Sequence, residues 1–201
     1  LLCTNVKSSR NISHQDIAER GIQGRRSTML VPCSVGHYVH DYVPFYFSKK
    51  TSMQLGVINK KNVDQPLLIY LAIPIKILEQ KQGVVFSDAS ANTDTPPNFY
   101  NSASLQMLDA LNWDAIDDKK WGCPNDQYRH QKMAELLVPG SVTISDIAYI
   151  VVWNEHIKEN VEEIFKAKNI KPPKIIFDPE HFFINFYEGG RLSIITGPRY
   201  L

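Results

Sequence analysis

The sequence lacks the features that mark several large classes of protein. It has no apolar run long enough to cross a membrane, and its longest run, residues 147–153, has the length of a strand. The signatures GxxxxGK(S/T), GxGxxG, GxSxG and HExxH are all missing, which removes the usual support for P-loop, Rossmann, α/β-hydrolase and zincin chemistry. We therefore expect no membrane association. We also expect a functional site that belongs to none of these four classes.

Cysteine is scarce, and histidine is not arranged for metal binding. The chain has 3 cysteines, an odd number without paired spacing, and its 6 histidines form no pair with a cysteine or carboxylate at the spacing of a metal site. We expect no metal, and a reducing, cytoplasmic setting. The chain begins Leu1-Leu2 without a methionine or a signal sequence, which we interpret as an excised fragment or a processed end.

The composition is that of an ordinary globular protein, but the charge is unevenly distributed. With 201 residues, 43% hydrophobic and 21% charged, we expect one domain spanning residues 1–201. Residues 1–63 hold nine Lys or Arg against three acidic residues, a local charge of +6 in a chain whose net charge is +1. Such a region attracts phosphates, of a nucleotide or of a nucleic acid. A solvated basic face without a ligand is the open alternative. The near-neutral net charge of the chain predicts a monomer.

Hydrophobic periodicity predicts a mixture of short strands and few helices. Residues 1–40 read as a long loop with one short helix near residues 15–20. Predicted strands cover 42–47, where Pro44 favours an edge, a central strand at 66–72, and 83–86, 147–153, 174–177 and 181–187. Residues 74–80 favour a helical turn, 87–101 a polar loop, and Asn154 caps a helix to residue 168. The apolar residues of 126–137 fit neither the helical nor the strand period. The fold class is α+β with a largely antiparallel sheet.

Two segments stand out as candidates for chemistry. Glu135 lies inside the apolar run MAELLV at residues 133–138, where a carboxylate is costly unless it is paired or used. Pattern alone favours the alternative, a solvent-facing Glu135 on an amphipathic helix or edge strand. The second segment, HDYVPFYFSKK at residues 40–50, joins aromatic residues to two lysines. It suits a nucleotide or a stacked base, with an aromatic core strand as the equal alternative.

A series of motifs resembles one known family. IQGRR at 22–26, HDYVPFYF at 40–47, VFSD at 85–88, NFYN at 98–101 and AELLV at 134–138 follow in order. Together they resemble the DarT family of DNA ADP-ribosyltransferase toxins from Gly21 to the end of the chain. The resemblance implies an ADP-ribosyltransferase-like split, mostly antiparallel sheet with flanking helices. It implies transfer of ADP-ribose from NAD to a base of single-stranded DNA, and a macrodomain antitoxin, DarG, as partner.

The resemblance also implies roles for individual residues. Glu135 matches the catalytic glutamate, and Arg25 and Arg26 match a basic pair in a loop that folds over NAD, where they would hold the pyrophosphate. A further set matches the strand that floors the nucleotide cleft: Tyr42, Phe45 and Tyr46.

The remaining implied residues would contact the DNA. They are Lys49, Lys50, Asp88 and Tyr100. Lys50 stands where many relatives have a catalytic arginine, and it keeps the charge without the bidentate fork.

One further departure from the family and two other functions remain open at this stage. The family's opening strand and helix, with an NAD-binding histidine, have no counterpart before Leu1, so we expect the domain to lack them. One alternative function is a catalytically silent NAD-binding or nucleic-acid-binding domain. The other is a transferase that acts on RNA or protein.

Overall fold

The structure is a computed structural model that describes residues 1–13, 20–60, 63–93, 95–120, 123–186 and 192–194. It divides into two compact units, the first formed by Leu1–Thr51 with Ile75–Thr143 and the second by Ser52–Pro74 with Ile144–Leu201. Each unit has a sheet of its own.

The helices and strands are short. In chain order the strands are β1 (Tyr42–Tyr46), β2 (Tyr70–Ala72), β3 (Val85–Ser87), β4 (Phe99–Asn101), β5 (Glu135–Pro139), β6 (Tyr149–Val152), β7 (Lys174–Phe177), β8 (Ile184–Phe186) and β9 (Leu192–Ile194). The α-helices are α1 (Thr4–Ser9), α2 (Arg20–Thr28), α3 (Ser52–Lys60), α4 (Ile77–Gln80), α5 (Trp113–Asp117), α6 (Asp126–Lys132) and α7 (Glu155–Ala167). Single 3₁₀ turns include Val39–Asp41, Gln65–Leu67 and Pro179–His181.

The sheet of the first unit is antiparallel throughout, in the order β1-β5-β3-β4. β5 therefore lies between two neighbours, and its residues Glu135 to Val138 are all buried. Side chains alternate between the two faces of a strand, and directly paired residues share a face. Tyr46 pairs with Glu135, and both Pro44 and Val85 pair with Leu137. These residues consequently define one face of the sheet, here called the Glu135 face.

One hydrophobic cluster of the first unit packs on the Glu135 face. Its buried members come from β1, β3, β5 and the segments around them: Met29, Val31, Val39, Tyr42, Val85, Ala91 and Leu137. Met29 directly follows α2, and the backbone amide of Val39 donates a hydrogen bond to its carbonyl over 3.0 Å. The end of α2 is thereby anchored over the sheet.

The second unit has a three-stranded sheet in the order β2-β6-β7, antiparallel between β2 and β6 and parallel between β6 and β7. β8 and β9 pair as a separate antiparallel ribbon. α7 connects β6 to β7 and begins at Asn154, whose side-chain oxygen accepts the backbone N–H of Ile157 over 3.0 Å.

The structure confirms the mixed α+β class and most of the predicted strands. Pro44 lies in β1 at an edge of its sheet, as expected for a residue without an N–H. Residues 126–137 fit neither period because they contain α6 followed by the start of β5. The predicted single domain stays a prediction.

Three other predictions were wrong. Residues 66–72 do not form a central strand: a 3₁₀ turn occupies Gln65–Leu67, and only Tyr70–Ala72 pair, at an edge of the three-stranded sheet. Residues 1–40 are not mainly loop, because α1 and α2 lie there, while the helix expected at 15–20 falls largely outside the described residues. The polar stretch 87–101 ends in β4, which pairs with β3.

Candidate active site

Glu135 is the first residue of β5, and none of its side chain is exposed. Its chain neighbours Ala134 and Leu136 are also buried. The alternative of a solvent-facing Glu135, which the sequence pattern alone favoured, is wrong, because β5 has a strand on each side and Arg26 of α2 contacts the carboxylate. A desolvated carboxylate needs several hydrogen bonds to remain charged.

Arg26 of α2 supplies two of those hydrogen bonds. Its Nη1 donates to Oε1 of Glu135 over 2.8 Å, and its Nη2 donates to Oε2 over 2.9 Å. Arg26 is only 8% exposed, so this bidentate ion pair lies inside the protein. Burial lowers the pKa of Arg26, but the carboxylate of Glu135 outweighs it and the net shift is upward. The guanidinium is therefore permanently charged.

A turn after β3 completes the surroundings of the carboxylate. The backbone amide of Ala91 donates to Oε1 of Glu135 over 3.1 Å. Ser87 is fully buried, accepts the backbone N–H of Glu135 over 3.3 Å and donates to the carbonyl of Ala89 over 2.8 Å. One hydroxyl thus joins β5 to the turn that presents the Ala91 amide.

The aromatic residues predicted to line the nucleotide cleft, Tyr42, Phe45 and Tyr46, lie on both faces of the sheet. Tyr46 pairs with Glu135 and shares its face. Burial first, and the nearby carboxylate second, raise the pKa of Tyr46 above its usual value. Tyr42 is on the same face but only 2% exposed, as a member of the core. Phe45 pairs with Leu136 and so lies on the opposite face. The structure therefore brings only Tyr46 beside Glu135.

The predicted DNA-contacting residues Asp88 and Tyr100 lie beyond the end of β3 and on β4. Asp88 accepts hydrogen bonds from the backbone and the side chain of Asn98, over 3.0 and 2.7 Å, and lies 3.5 Å from the hydroxyl of Tyr100. Burial, and then Asp88, raise the pKa of Tyr100. Tyr100 pairs with Phe86, so its ring is on the face opposite Glu135.

Asp88 and Asn98 also line a surface pocket of about 440 Å³. Most of the other lining side chains are polar; the pocket is completed by Ala89, Thr93, Thr95, Pro96, Pro97, Gln127, His130 and Gln131. Three of the lining residues, Asp88, Ala89 and Thr93, flank Ala91 along the chain, and the amide of Ala91 contacts Glu135. Nδ1 of His130 is buried and has no hydrogen-bond partner in the described part of the chain.

The basic residues that were predicted to bind the substrates differ in exposure and in their hydrogen-bond partners. Arg25 is exposed, and its Nε donates to the carbonyl of Asn92 over 2.7 Å. Lys49 is exposed and Lys50 half-buried. The backbone of Lys50 is held by Ser48, whose hydroxyl donates to the Lys50 carbonyl over 2.8 Å. Arg26, in contrast, is occupied by Glu135 and does not present its fork to a phosphate.

Sequence reasoning missed Ser87 and the amide of Ala91. The VFSD motif carried a signal for the first, since a serine that ends an apolar strand is well placed for a buried hydroxyl contact. No residue type identifies a backbone donor, so Ala91 could not be found from the sequence. Within the described residues, no helix has the length and apolar character needed to cross a membrane, and no cluster of three His, Cys, Asp or Glu is grouped for a metal ion.

The antiparallel sheet of the first unit and the buried glutamate at the start of its inner strand fit the ADP-ribosyltransferase class that the sequence motifs resemble. The comparisons with known proteins identify the family within this class. The family model described as "DarT: ssDNA thymidine ADP-ribosyltransferase, DarT" matches residues 1–184. The chain therefore belongs to the DarT family.

Individual relatives agree with this assignment. A DNA ADP-ribosyl transferase of Thermus aquaticus is 31% identical over 162 residues, 78% of this chain and 69% of the relative. The Thermus sp. 2.9 DarT, solved in complex with ADP-ribosylated single-stranded DNA, matches with a TM-score of 0.79 and 26% identity, over 91% of this chain and 87% of that one. The same protein solved with NAD⁺ matches in fold, with a TM-score of 0.74 at 24% identity over 91% and 87% of the two chains.

Proposed function

We propose that this chain transfers ADP-ribose from NAD to the base of a thymidine in single-stranded DNA and releases nicotinamide. Membership of the DarT family supports the reaction, and the description of the family model supports the base. The structural observation that carries the proposal is the buried, hydrogen-bonded carboxylate of Glu135 on β5.

Glu135 suits the chemistry of this reaction. Breaking the bond between the ribose C1′ and the nicotinamide nitrogen leaves the electron pair on nicotinamide and builds positive charge on the ribose. A carboxylate that accepts a hydrogen bond from the ribose 2′-hydroxyl stabilises this charge more in the transition state than in the ground state. The base then bonds to C1′, and the same carboxylate assists removal of its proton. Three hydrogen bonds already reach Glu135, which leaves acceptor capacity for the substrate.

Other residues are proposed to hold the two substrates. Arg25 is exposed on α2 and carries a guanidinium suited to the pyrophosphate of NAD. Tyr46 shares the face of Glu135, where it would border the nucleotide. Asp88 and Tyr100, beside the polar pocket, are proposed to contact the DNA.

The two lysines after β1 complete the proposed DNA-contacting set. Lys49 and Lys50 supply charge for the DNA backbone, and Lys50 is proposed to assist catalysis at the target base. Acting as a point charge, Lys50 orients the base less strictly than an arginine fork does.

The proposed setting of this activity is cytoplasmic, with the chain acting as a monomer. A macrodomain antitoxin, DarG, is the proposed partner, because the motifs resemble those of the toxin component of this pair.

Mass spectrometry of oligonucleotides tests the proposed reaction. Single-stranded oligonucleotides with and without thymidine are incubated with NAD and the chain, or with Glu135→Gln. The matched control is Glu163→Gln, which changes an exposed glutamate on α7. We expect the mass of one ADP-ribose only on thymidine-containing strands, loss of the product by at least ~10²-fold in Glu135→Gln, and an unchanged yield in the control.

Each other outcome contradicts part of the proposal. Labelling of strands without thymidine overturns the choice of base, and labelling of RNA or protein but not DNA overturns the acceptor. NAD binding without nicotinamide release by the unmodified chain indicates a silent domain. DNA labelling retained by Glu135→Gln removes the catalytic role of this residue.

A further inference from the structure

Lys132 is a buried basic residue that the proposed reaction does not use. It ends α6, three positions before Glu135, and it is only 2% exposed. Its Nζ donates hydrogen bonds to the backbone carbonyl of Ala115, over 3.4 Å, and to that of Asp118. We infer that Lys132 is a positioning residue for the DNA substrate, which joins α5 to α6 and so fixes the α6 side chains that line the surface pocket. This inference rests on the proposed function and deepens it.

The first step of the argument is the cost of burying the Lys132 amine. Moving an ammonium group out of water is unfavourable unless other hydrogen bonds replace those to water. Burial lowers the pKa of Lys132, and the nearby carboxylate of Asp118 opposes this shift only in part. A methionine would fill a similar volume without this cost. The amine therefore contributes through the two carbonyls that it binds and not through the burial of apolar surface.

The second step is the place of these two carbonyls at the end of α5. The last carbonyls of a helix have no partner within it, and a cation beside them is favourable. α5 (Trp113–Asp117) has only 5 residues, and a helix of this length is not stable by itself. Lys132 thus stabilises an element that depends on contacts from outside.

Tyr128 and Gln131 of α6 also contact the α5 region. The hydroxyl of Tyr128, one turn before Lys132, donates to Oδ2 of Asp118 over 3.0 Å. Asn112, the N-cap of α5, donates from Nδ2 to Oε1 of Gln131 over 2.8 Å. Asp118 is therefore held twice from α6, at its carbonyl by Lys132 and at its carboxylate by Tyr128. We call these contacts the α5–α6 clamp.

The third step connects the α5–α6 clamp to the region proposed to contact DNA. Gln127, His130 and Gln131 of α6 line the surface pocket together with Asp88, a proposed DNA contact. Gln131 belongs both to the clamp and to the pocket wall. A shift of α6 therefore changes the shape of this wall and weakens its contacts with DNA.

Glu135 is held independently of the α5–α6 clamp. Its backbone N–H donates to Ser87, and its strand pairs with β1 and β3. The carbonyl of the preceding Ala134 accepts the backbone N–H of Phe47 over 3.1 Å. Loss of the Lys132 amine is therefore expected to affect the binding of DNA more than the chemistry at the ribose of NAD.

Steady-state kinetics tests this role with Lys132→Met, which keeps most of the side chain without the donor. We expect KM for a thymidine-containing oligonucleotide to rise roughly tenfold, the effect of one or two lost hydrogen bonds, while kcat and KM for NAD stay almost unchanged. A merely structural role reduces the amount of active protein and hence kcat, but it leaves KM for DNA unmoved. The slope of log KM against log salt concentration also stays the same, because a buried amine does not contact phosphates.

Two further variants serve as comparisons. Tyr128→Phe removes the second contact with Asp118, so it should raise KM for DNA in the same way. Because both residues act through Asp118, the double variant should raise KM by less than the product of the two single effects. Lys166→Met, at an exposed position on α7, should leave every parameter unchanged.

Hydrogen exchange gives a readout that does not depend on turnover. In Lys132→Met we expect the backbone amides of α5 to exchange faster, while those of β5 keep their protection. If Lys132→Met does not fold, Tyr128→Phe still tests the α5–α6 clamp through KM and exchange.

The outcomes distinguish this inference from the proposed function. An unchanged KM for DNA despite faster exchange of α5 overturns the positioning role, and so does a loss of kcat with KM for DNA unchanged. If the chain labels no DNA, its affinity for the oligonucleotide, measured by fluorescence anisotropy, replaces KM. Weaker binding by Lys132→Met with faster exchange of α5 then supports the positioning role, although the proposed function has failed.

Discussion

The carboxylate of Glu135 is buried and accepts hydrogen bonds from Arg26 and Ala91. In a buried ion pair, loss of one partner leaves an uncompensated charge, which typically costs about 3–5 kcal/mol. Here the neighbouring turn adds a backbone donor, so the carboxylate is held by groups from α2 and from residues 88–91 together. At the scale of the residue, stability and function thus depend on the same hydrogen bonds.

Ser87→Ala tests the hydroxyl that joins β5 to this turn. The variant leaves the N–H of Glu135 and the carbonyl of Ala89 without their buried partner. We expect the free energy of unfolding, measured in urea, to fall by about 1–3 kcal/mol, with a parallel loss of turnover as the Ala91 amide shifts. Ser102→Ala, at an exposed position, is the control and should stay within about 0.5 kcal/mol. An unchanged free energy in Ser87→Ala would mean that water replaces the hydroxyl.

At the scale of the element, local signals fix where helices begin but not which face they bury. The Asn154 cap of α7 is where the sequence predicts it, since an N-cap needs only its own next few residues. The apolar stripe of this helix is buried only in part. Ile157 and Val161 are buried, whereas Ile164 is 64% exposed. Helical spacing places these residues on one side of α7, and packing on β6 and β7 decides how far each is covered.

Asn154→Ala measures the strength of this cap. The variant removes the acceptor of the Ile157 N–H, so we expect the free energy of unfolding to fall by about 1 kcal/mol. Asn160→Ala is the matched control on the same helix, at an exposed position where alanine is the better helix former. It should be neutral or slightly stabilising. Equal losses in the two variants would contradict a specific capping role.

At the scale of the whole molecule, the charge is divided along the chain. Residues 1–63 carry +6 in a protein of net charge +1, and they contain Lys49 and Lys50. Binding of single-stranded DNA through such residues releases counterions, so the affinity falls as salt is added.

The salt dependence of DNA affinity tests the two lysines together. For Lys49→Met/Lys50→Met, we expect the slope of log affinity against log salt concentration to become shallower by about 1.4, since each phosphate contact contributes ~0.7. Fluorescence anisotropy with a labelled thymidine oligonucleotide gives this slope. Lys171→Met, an exposed lysine after α7, should leave the slope unchanged. A lower affinity with an unchanged slope would show that the lysines do not contact phosphates.

The sequence by itself determined the α+β class, the edge position of the strand with Pro44 and the Asn154 cap. Through its motifs it also determined the DarT family and the choice of Glu135 as the candidate catalytic residue. These features depend on the type of each residue and on its near neighbours in the sequence, so they can be predicted without the structure. Only the tertiary structure decided that Glu135 is buried, that Arg26 is bound to it, and that Phe45 lies on the opposite face of the sheet from Tyr46. Arg26 and Glu135 are 109 positions apart. No local sequence pattern predicts that these two side chains will meet. Their contact depends on the register of β5 and on the position of α2 over the sheet.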